Sequence, residues 1–486
     1  MTYSRQRLKE VTALKREAVR RIQNDIGEIG ASPSQKYIHE FTREFQTFES
    51  VVAPAEILEA ARRANLIWIG DYHALTRSQT YASEFLRELK TRKNNIAVAV
   101  EPVFARNQEV LSRWMAGKIS EQEFLDRIHY REEWGCDWEG YKTIFEAAGE
   151  LHIPIYGADC HPRNDMRSIS RRDLGVARRV ARLLANDPEQ TLVVIFGESH
   201  LASNHLPRRV RAILGRKGIE SKELFVVQNI DALYWKLQET GFHQARAVRV
   251  REGCYCVFNA TPIEKYESFR QYLHKCIEED SCGDWTVLAQ TLMEIMMNFL
   301  ALDKHAASLM SLLEFDSAWA GEFELGNAAE EFARFIHQAC RGELGKPVER
   351  APRDQFFVNV IEHGLGYFCS KVLDSSRDGI ESLAERVLSQ IGRNEQLTRA
   401  IELLIDPRTR PGAQHFVALR SAIEAKAGNQ KMMRMLAQLL GYALGRRLYI
   451  AYMQSRISRK DIHALFRDPL NRPLRPLECY RELHLL

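Results

Sequence analysis

Two stretches of the sequence share the form Gly, acid, any residue, His: Gly70-Asp71-Tyr72-His73 and Gly197-Glu198-Ser199-His200. Each begins where a short apolar run ends. Two further runs end in acid, one at Glu101 and one at Asp159-Cys160-His161. Imidazoles combined with a few carboxylates form a borderline-hard ligand set that suits Zn, Mn or Fe. In that reading His73, Glu101 and His200 are metal ligands, the ion activates water, and Glu198 or Asp71 serves as general base or supports the ligands from behind. The same residue types equally make a metal-free site in which His73 is the base and Glu101 orients it. Residue type alone leaves both chemistries open.

The elements that would position these groups are legible in the pattern. The runs Asn65–Gly70, Asn95–Glu101, Ile153–Asp159, Thr191–Gly197 and Lys222–Gln228 are rich in β-branched and aromatic residues, as buried strands are. Amphipathic stretches separate them, at about 76–92, 107–150, 172–186 and 203–216, and this alternation predicts a mostly parallel sheet covered by helices on both faces. In such a sheet the ligand crevice lies beyond the carboxyl ends of the strands. The order 3-2-1-4-5 would set the first and fourth runs side by side, with His73 and His200 across one crevice and Glu101 beside them. The leading glycines are expected to turn the chain off each strand so that the histidine swings back over its end. Thr76 to Gln79 fits a capping box and Ser203 an N-cap, so both motifs are expected to run into helix N-termini that favour an anionic or metal-linked oxygen ligand.

The chain has 486 residues, 45% of them hydrophobic, and a formal charge of +4. Disorder is excluded by that composition, and binding of a polyanion by the whole protein is disfavoured. No P-loop and no GxGxxG occurs, and the arginine-rich stretches lack interleaved aromatics, so nucleic acid is not an expected partner. The first residues carry no apolar signal core, and the most apolar stretch, 286–302, is interrupted by Gln290, Glu294 and Asn298. A membrane span is therefore not expected. Nine cysteines are too few and too scattered for a disulfide framework, which makes a reducing cytoplasm the expected compartment. Three parts are expected: an amphipathic helix and linker over 1–39, an α/β domain over 40–262 ending in a hairpin around Gly253, and an all-α domain over 263–486.

The spaced elements together resemble the ChaN-like haem-binding uptake family, within the superfamily that also holds Tiki proteases, TraB proteins and erythromycin esterases. The matching residues are Gly70 to His73 with Gln79, Val100 to Phe104 with Gln108, Trp138 with Tyr141, His161-Pro162-Arg163, Arg172-Asp173, and Gly197 to His200. The resemblance covers about residues 50–230 and leaves the helical half unassigned. It implies a site at the strand ends that holds haem, iron or another metal centre, or a metal-dependent peptidase or esterase using the same residues. For haem, it offers Tyr72, Tyr141, His73 and His200 as ligands and Trp114, Trp134 and Trp138 as walls. Tyr72, Gln79, Tyr141, His161, Arg163 and Arg172 are the implied ligand-binding residues. A small-molecule or peptide ligand is the implied partner. A homodimer and a protein partner for the helical half stay open.

Overall fold

The structure is a computed structural model, and it describes residues 3–28, 35–161, 169–277, 286–302, 333–338, 340, 350–375, 379–391, 395–426, 429–467 and 476–484. It contains an eight-stranded sheet: β1 (Ser50–Val51), β2 (Leu66–Asp71), β3 (Ile96–Phe104), β4 (Ile155–Asp159), β5 (Thr191–Gly197), β6 (Glu223–Gln228), β7 (Ala247–Arg251) and β8 (Cys254–Val257). The spatial order is β1-β7-β8-β6-β2-β5-β3-β4. Strands β4, β3, β5, β2, β6 and β8 run parallel, while β7 pairs antiparallel with β8 and β1 antiparallel with β7. The five expected strands and the hairpin are present. The two-residue β1 has too little apolar sequence to be seen as a strand.

The strand order departs from the expected one in an instructive way. β2 and β5 are neighbours as anticipated, but β5 lies between β2 and β3. The crossover from β2 to β3 therefore skips one position, and β5 later fills it. Glu101 and His73 consequently stand on either side of the β5 end, and whatever ends β5 separates them.

Each central strand is buried on both faces, which is why it reads as an unbroken apolar run. On one face Ile67, Ile69, Val98, Val100, Val193 and Ile195 pack with α3 (Pro54–Arg63), α4 (Thr76–Lys90) and α8 (Trp138–Glu150). On the other, Trp68, Ala99, Val194 and Phe196 pack with α9 (Ile169–Asn186) and α10 (Leu206–Arg216). The period-2 alternation along β5 sends Ile195 to the first face and Phe196 to the second, so residues just beyond a strand end can be claimed by helices of either layer.

Two compact units make up the chain: Asn24–Glu279, which holds the sheet, and Met1–Gln23 together with Asp280–Leu486, whose described elements are all helices. The expected leading helix exists as Arg5–Glu28, with Leu8, Val11, Leu14, Ala18 and Ile22 buried. It does not form a part of its own. Its first turns are tied to the C-terminal helices, through Ser4 N–H donating to the Met453 carbonyl at 2.7 Å and Lys15 Nζ to Ser375 Oγ at 3.1 Å. In the helical unit, helices Pro352–Leu373 and Gln430–Met453 cross closely at Gly445, where a Cβ would strike the Gly364 carbonyl. Among the described residues no helix is long and apolar enough to cross a membrane.

Candidate functional site

The motif that ends β2 builds a compact network within its own layer. The Asp71 carboxylate is buried and accepts from the Gln79 amide at 2.5 Å on Oδ1. Its Oδ2 receives the Tyr141 hydroxyl at 2.5 Å and pairs with His73 Nδ1 at 2.7 Å. Gln79 is not the far end of a capping box: α4 starts one residue earlier than that box requires, with Leu75, which has no side-chain acceptor, at the N-cap, and the Gln79 amide donates to Asp71. Tyr141 is fully buried, and burial, reinforced by Asp71, holds its phenol well above the usual range. It therefore remains a donor. With its Nδ1 hydrogen bond given to Asp71, His73 has Nε2 on the side of Gly197 and Glu101, and its side chain is 34% exposed. Burial opposes a charge on this imidazole, but Glu101 and then Asp71 outweigh it and raise its pKa. The Trp134 ring packs edge-on against it at 4.6 Å.

Glu101 meets this imidazole across β5. Its Oε2 lies 3.7 Å from His73 Nε2 and accepts the Gly197 N–H at 2.5 Å. A Cβ on Gly197 would stand 3.0 Å from His73 Nε2 and 3.2 Å from Glu101 Oε2. The glycine is thus needed for close approach, and the expected sharp turn is not its role: neither Gly70 nor Gly197 has a positive φ. Glu101 Oε1 is taken by the buried Arg172 guanidinium, which also grips Asp159 through Nε at 2.8 Å and Nη2 at 2.9 Å. Glu101 is thereby a paired anion and not an open metal ligand, and Arg172 faces inward to two carboxylates. Asp71, and not Glu101, orients His73.

His200 follows different rules. Its Nδ1 pairs with Asp173 of α9 at 2.6 Å, and Asp173 also accepts the Tyr37 hydroxyl at 2.7 Å. The ring packs on Phe196 and Tyr37, in the layer opposite to Tyr141, and its side chain is 6% exposed. Ser203 does not cap α10, whose N-cap is His205; the Ser203 N–H binds Glu44 at 2.7 Å instead. Among the described residues no group of three or more His, Cys, Asp or Glu side chains is placed to hold a metal ion. His73, Glu101 and His200 stand at one sheet rim with separate partners.

Glu198 is also claimed from outside its motif. Lys265, from α12 (Pro262–Ile277), reaches its Oε1 at 3.2 Å and lies 4.6 Å over the Tyr72 ring. Burial raises the Glu198 carboxyl against the pull of Lys265, and burial likewise pushes the Tyr72 phenol up. Sequence reasoning missed Lys265, since nothing local to an amphipathic helix marks which lysine points inward. It also missed Tyr37 and His205. His161 is exposed beside Phe104 and Glu133, and Arg163 lies outside the described residues. Of the tryptophans, Trp114 and Trp138 pack into an aromatic core with Phe124 and Phe145, and Trp134 borders His73.

Fold and rim together define a mostly parallel α/β protein with an acid–histidine network, its candidate site, at the strand ends. Residues 57–179 match the family described as haem-binding uptake, Tiki superfamily, ChaN, and this stretch of the α/β unit is similar to that family. That match spans His73, Glu101, Tyr141, His161 and Arg172 and ends before His200. Among solved structures, one titled cofacial heme binding to ChaN of Campylobacter jejuni is 13% identical, with a TM-score of 0.28, covering 37% of this chain and 86% of that one. The type III effector HopBA1 is 12% identical, with a TM-score of 0.33, covering 45% of this chain and 98% of the other. No curated protein matches the chain.

Proposed function

We propose that the α/β unit binds haem at the carboxyl ends of its parallel strands, with His73 Nε2 as a ligand to the iron. The observation that carries this reading is the Asp71–His73 pair: a carboxylate 2.7 Å from Nδ1 fixes the tautomer and leaves Nε2 as the basic nitrogen of a part-exposed imidazole, the arrangement typical of a metal-ligating histidine. A porphyrin supplies most of the iron's ligands itself, so one imidazole suffices where three protein ligands for a bare Zn, Mn or Fe ion are not assembled. Tyr72 and Tyr141 serve less well as ligands, because the buried Tyr141 hydroxyl is committed to Asp71 and Lys265 lies over the Tyr72 ring. When bound, the iron would supply ligand-exchange or redox chemistry. The chain's own part is to hold His73 by Asp71, Gln79 and Tyr141 and to place Trp134 against it.

Titration of the purified protein with haemin tests this. A Soret shift is expected in the wild type and is expected to disappear in His73→Ala while the far-ultraviolet circular dichroism stays unchanged. A shift that survives in His73→Ala would sink the assignment.

A second reading, hydrolysis of an ester or peptide with His73 as general base, is favoured by the same Asp71–His73 pair. Turnover of an ester or peptide panel that is lost in His73→Ala and insensitive to chelators would favour it over haem carriage.

A further inference from the structure

An arginine and a histidine at the same rim stand outside the His73 network. Arg106 lies in the turn directly after β3, and His161 two residues after the end of β4. Both converge on one oxygen: Glu133 Oε1 is 3.0 Å from Arg106 Nη2 and 3.6 Å from His161 Nε2. Both also rest on the buried ring of Phe104, with the guanidinium carbon 4.7 Å and the imidazole centroid 4.4 Å from its centre. Contact with one aromatic ring limits the motion of two side chains that would otherwise be mobile. The side chains of Arg106 and His161 are nevertheless 53% and 46% exposed. Glu133 is followed in the chain by Trp134, the residue packed against His73. One short segment thus meets Arg106 and His161 with Glu133 and the candidate iron ligand with the residue that follows.

We propose that Arg106 and His161 form a carboxylate subsite, in which an acidic group of the ligand displaces Glu133 from the pair. The inference rests on the haem reading above and specifies which part of the ligand is recognised there: a propionate. Exchange of one carboxylate for another conserves the charge-assisted hydrogen bond from Arg106, and the part-exposed ion pair with Glu133 contributes little to be lost. Glu133 keeps the two donors aligned when no ligand is present.

Metal-free protoporphyrin IX and its dimethyl ester separate this claim from iron ligation, because neither carries iron for His73. Binding of each to the full chain is followed by fluorescence. The wild type is expected to prefer the diacid, and Arg106→Ala/His161→Ala to reduce the diacid-to-diester preference by about tenfold. Glu133→Gln is expected to tighten the diacid several-fold. The subsite is refuted if the wild type binds the diester as tightly as the diacid, if it binds neither, or if the double variant weakens both equally. The haemin titration of His73→Ala judges the iron ligand separately, so either claim can fail alone.

Discussion

The two motifs of identical spacing, Gly70 to His73 and Gly197 to His200, end in histidines that do different work. At the β2 end the acid of the motif is the partner of its own histidine, and the imidazole keeps a third of its surface open. At the β5 end the acid turns away to Lys265, and the histidine is claimed by Asp173 from a helix and closed over by Tyr37. A shared spacing fixes where two side chains leave the backbone. It does not fix which layer of helices answers them. Asp71 and Tyr141 belong to one face of the sheet, Phe196 and α9 to the other. The first end accordingly keeps its imidazole part-exposed, as the proposed ligand role requires, and the second closes its imidazole between the layers.

Arg172 and Asp173 are adjacent on α9 and serve the two ends in turn, so the largest effect is expected from Arg172→Ala. It leaves Glu101 and Asp159 buried without their counter-charge, at a cost of about 3–5 kcal/mol in unfolding free energy measured with urea. A loss below 1 kcal/mol would break the view of Arg172 as the residue that pairs both carboxylates. His200→Ala comes next, at about 1–3 kcal/mol, since Asp173 loses a buried partner. The comparison requires that this variant keep the haemin Soret shift; its disappearance with stability intact would make the two ends equivalent.

Gly197→Ala sharpens the contrast at its narrowest point. The added methyl must push His73 and Glu101 apart, and haemin affinity is expected to fall about tenfold, or about 1.4 kcal/mol, with a smaller change in stability. The smallest effect is the pH dependence carried by His73. Its folded pKa is raised from the ordinary 6.5, so its contribution to stability is present below that value and is lost as pH rises through the folded one. Urea melts of wild type and His73→Gln between pH 5 and 9 should show a wild-type advantage at the acid end that fades upward. Haemin affinity should climb over the same window, because Nε2 must be free of a proton to bind iron.

Much of this was legible in the sequence. Unbroken apolar runs of β-branched residues can be satisfied only by strands buried on both faces, so the parallel sheet, the polar strand ends and the candidacy of His73 followed from residue type and period. What tertiary structure alone decided was partnership. The position of β5 between β2 and β3 made Gly197 a contact point for His73 and Glu101, and Arg172, Asp173, Tyr37 and Lys265 reach the rim from helices distant in the chain. The physical reason is that burial must be offset by a partner for each charge, and the partner is whichever opposite charge the packed layers bring within reach, at any separation along the chain.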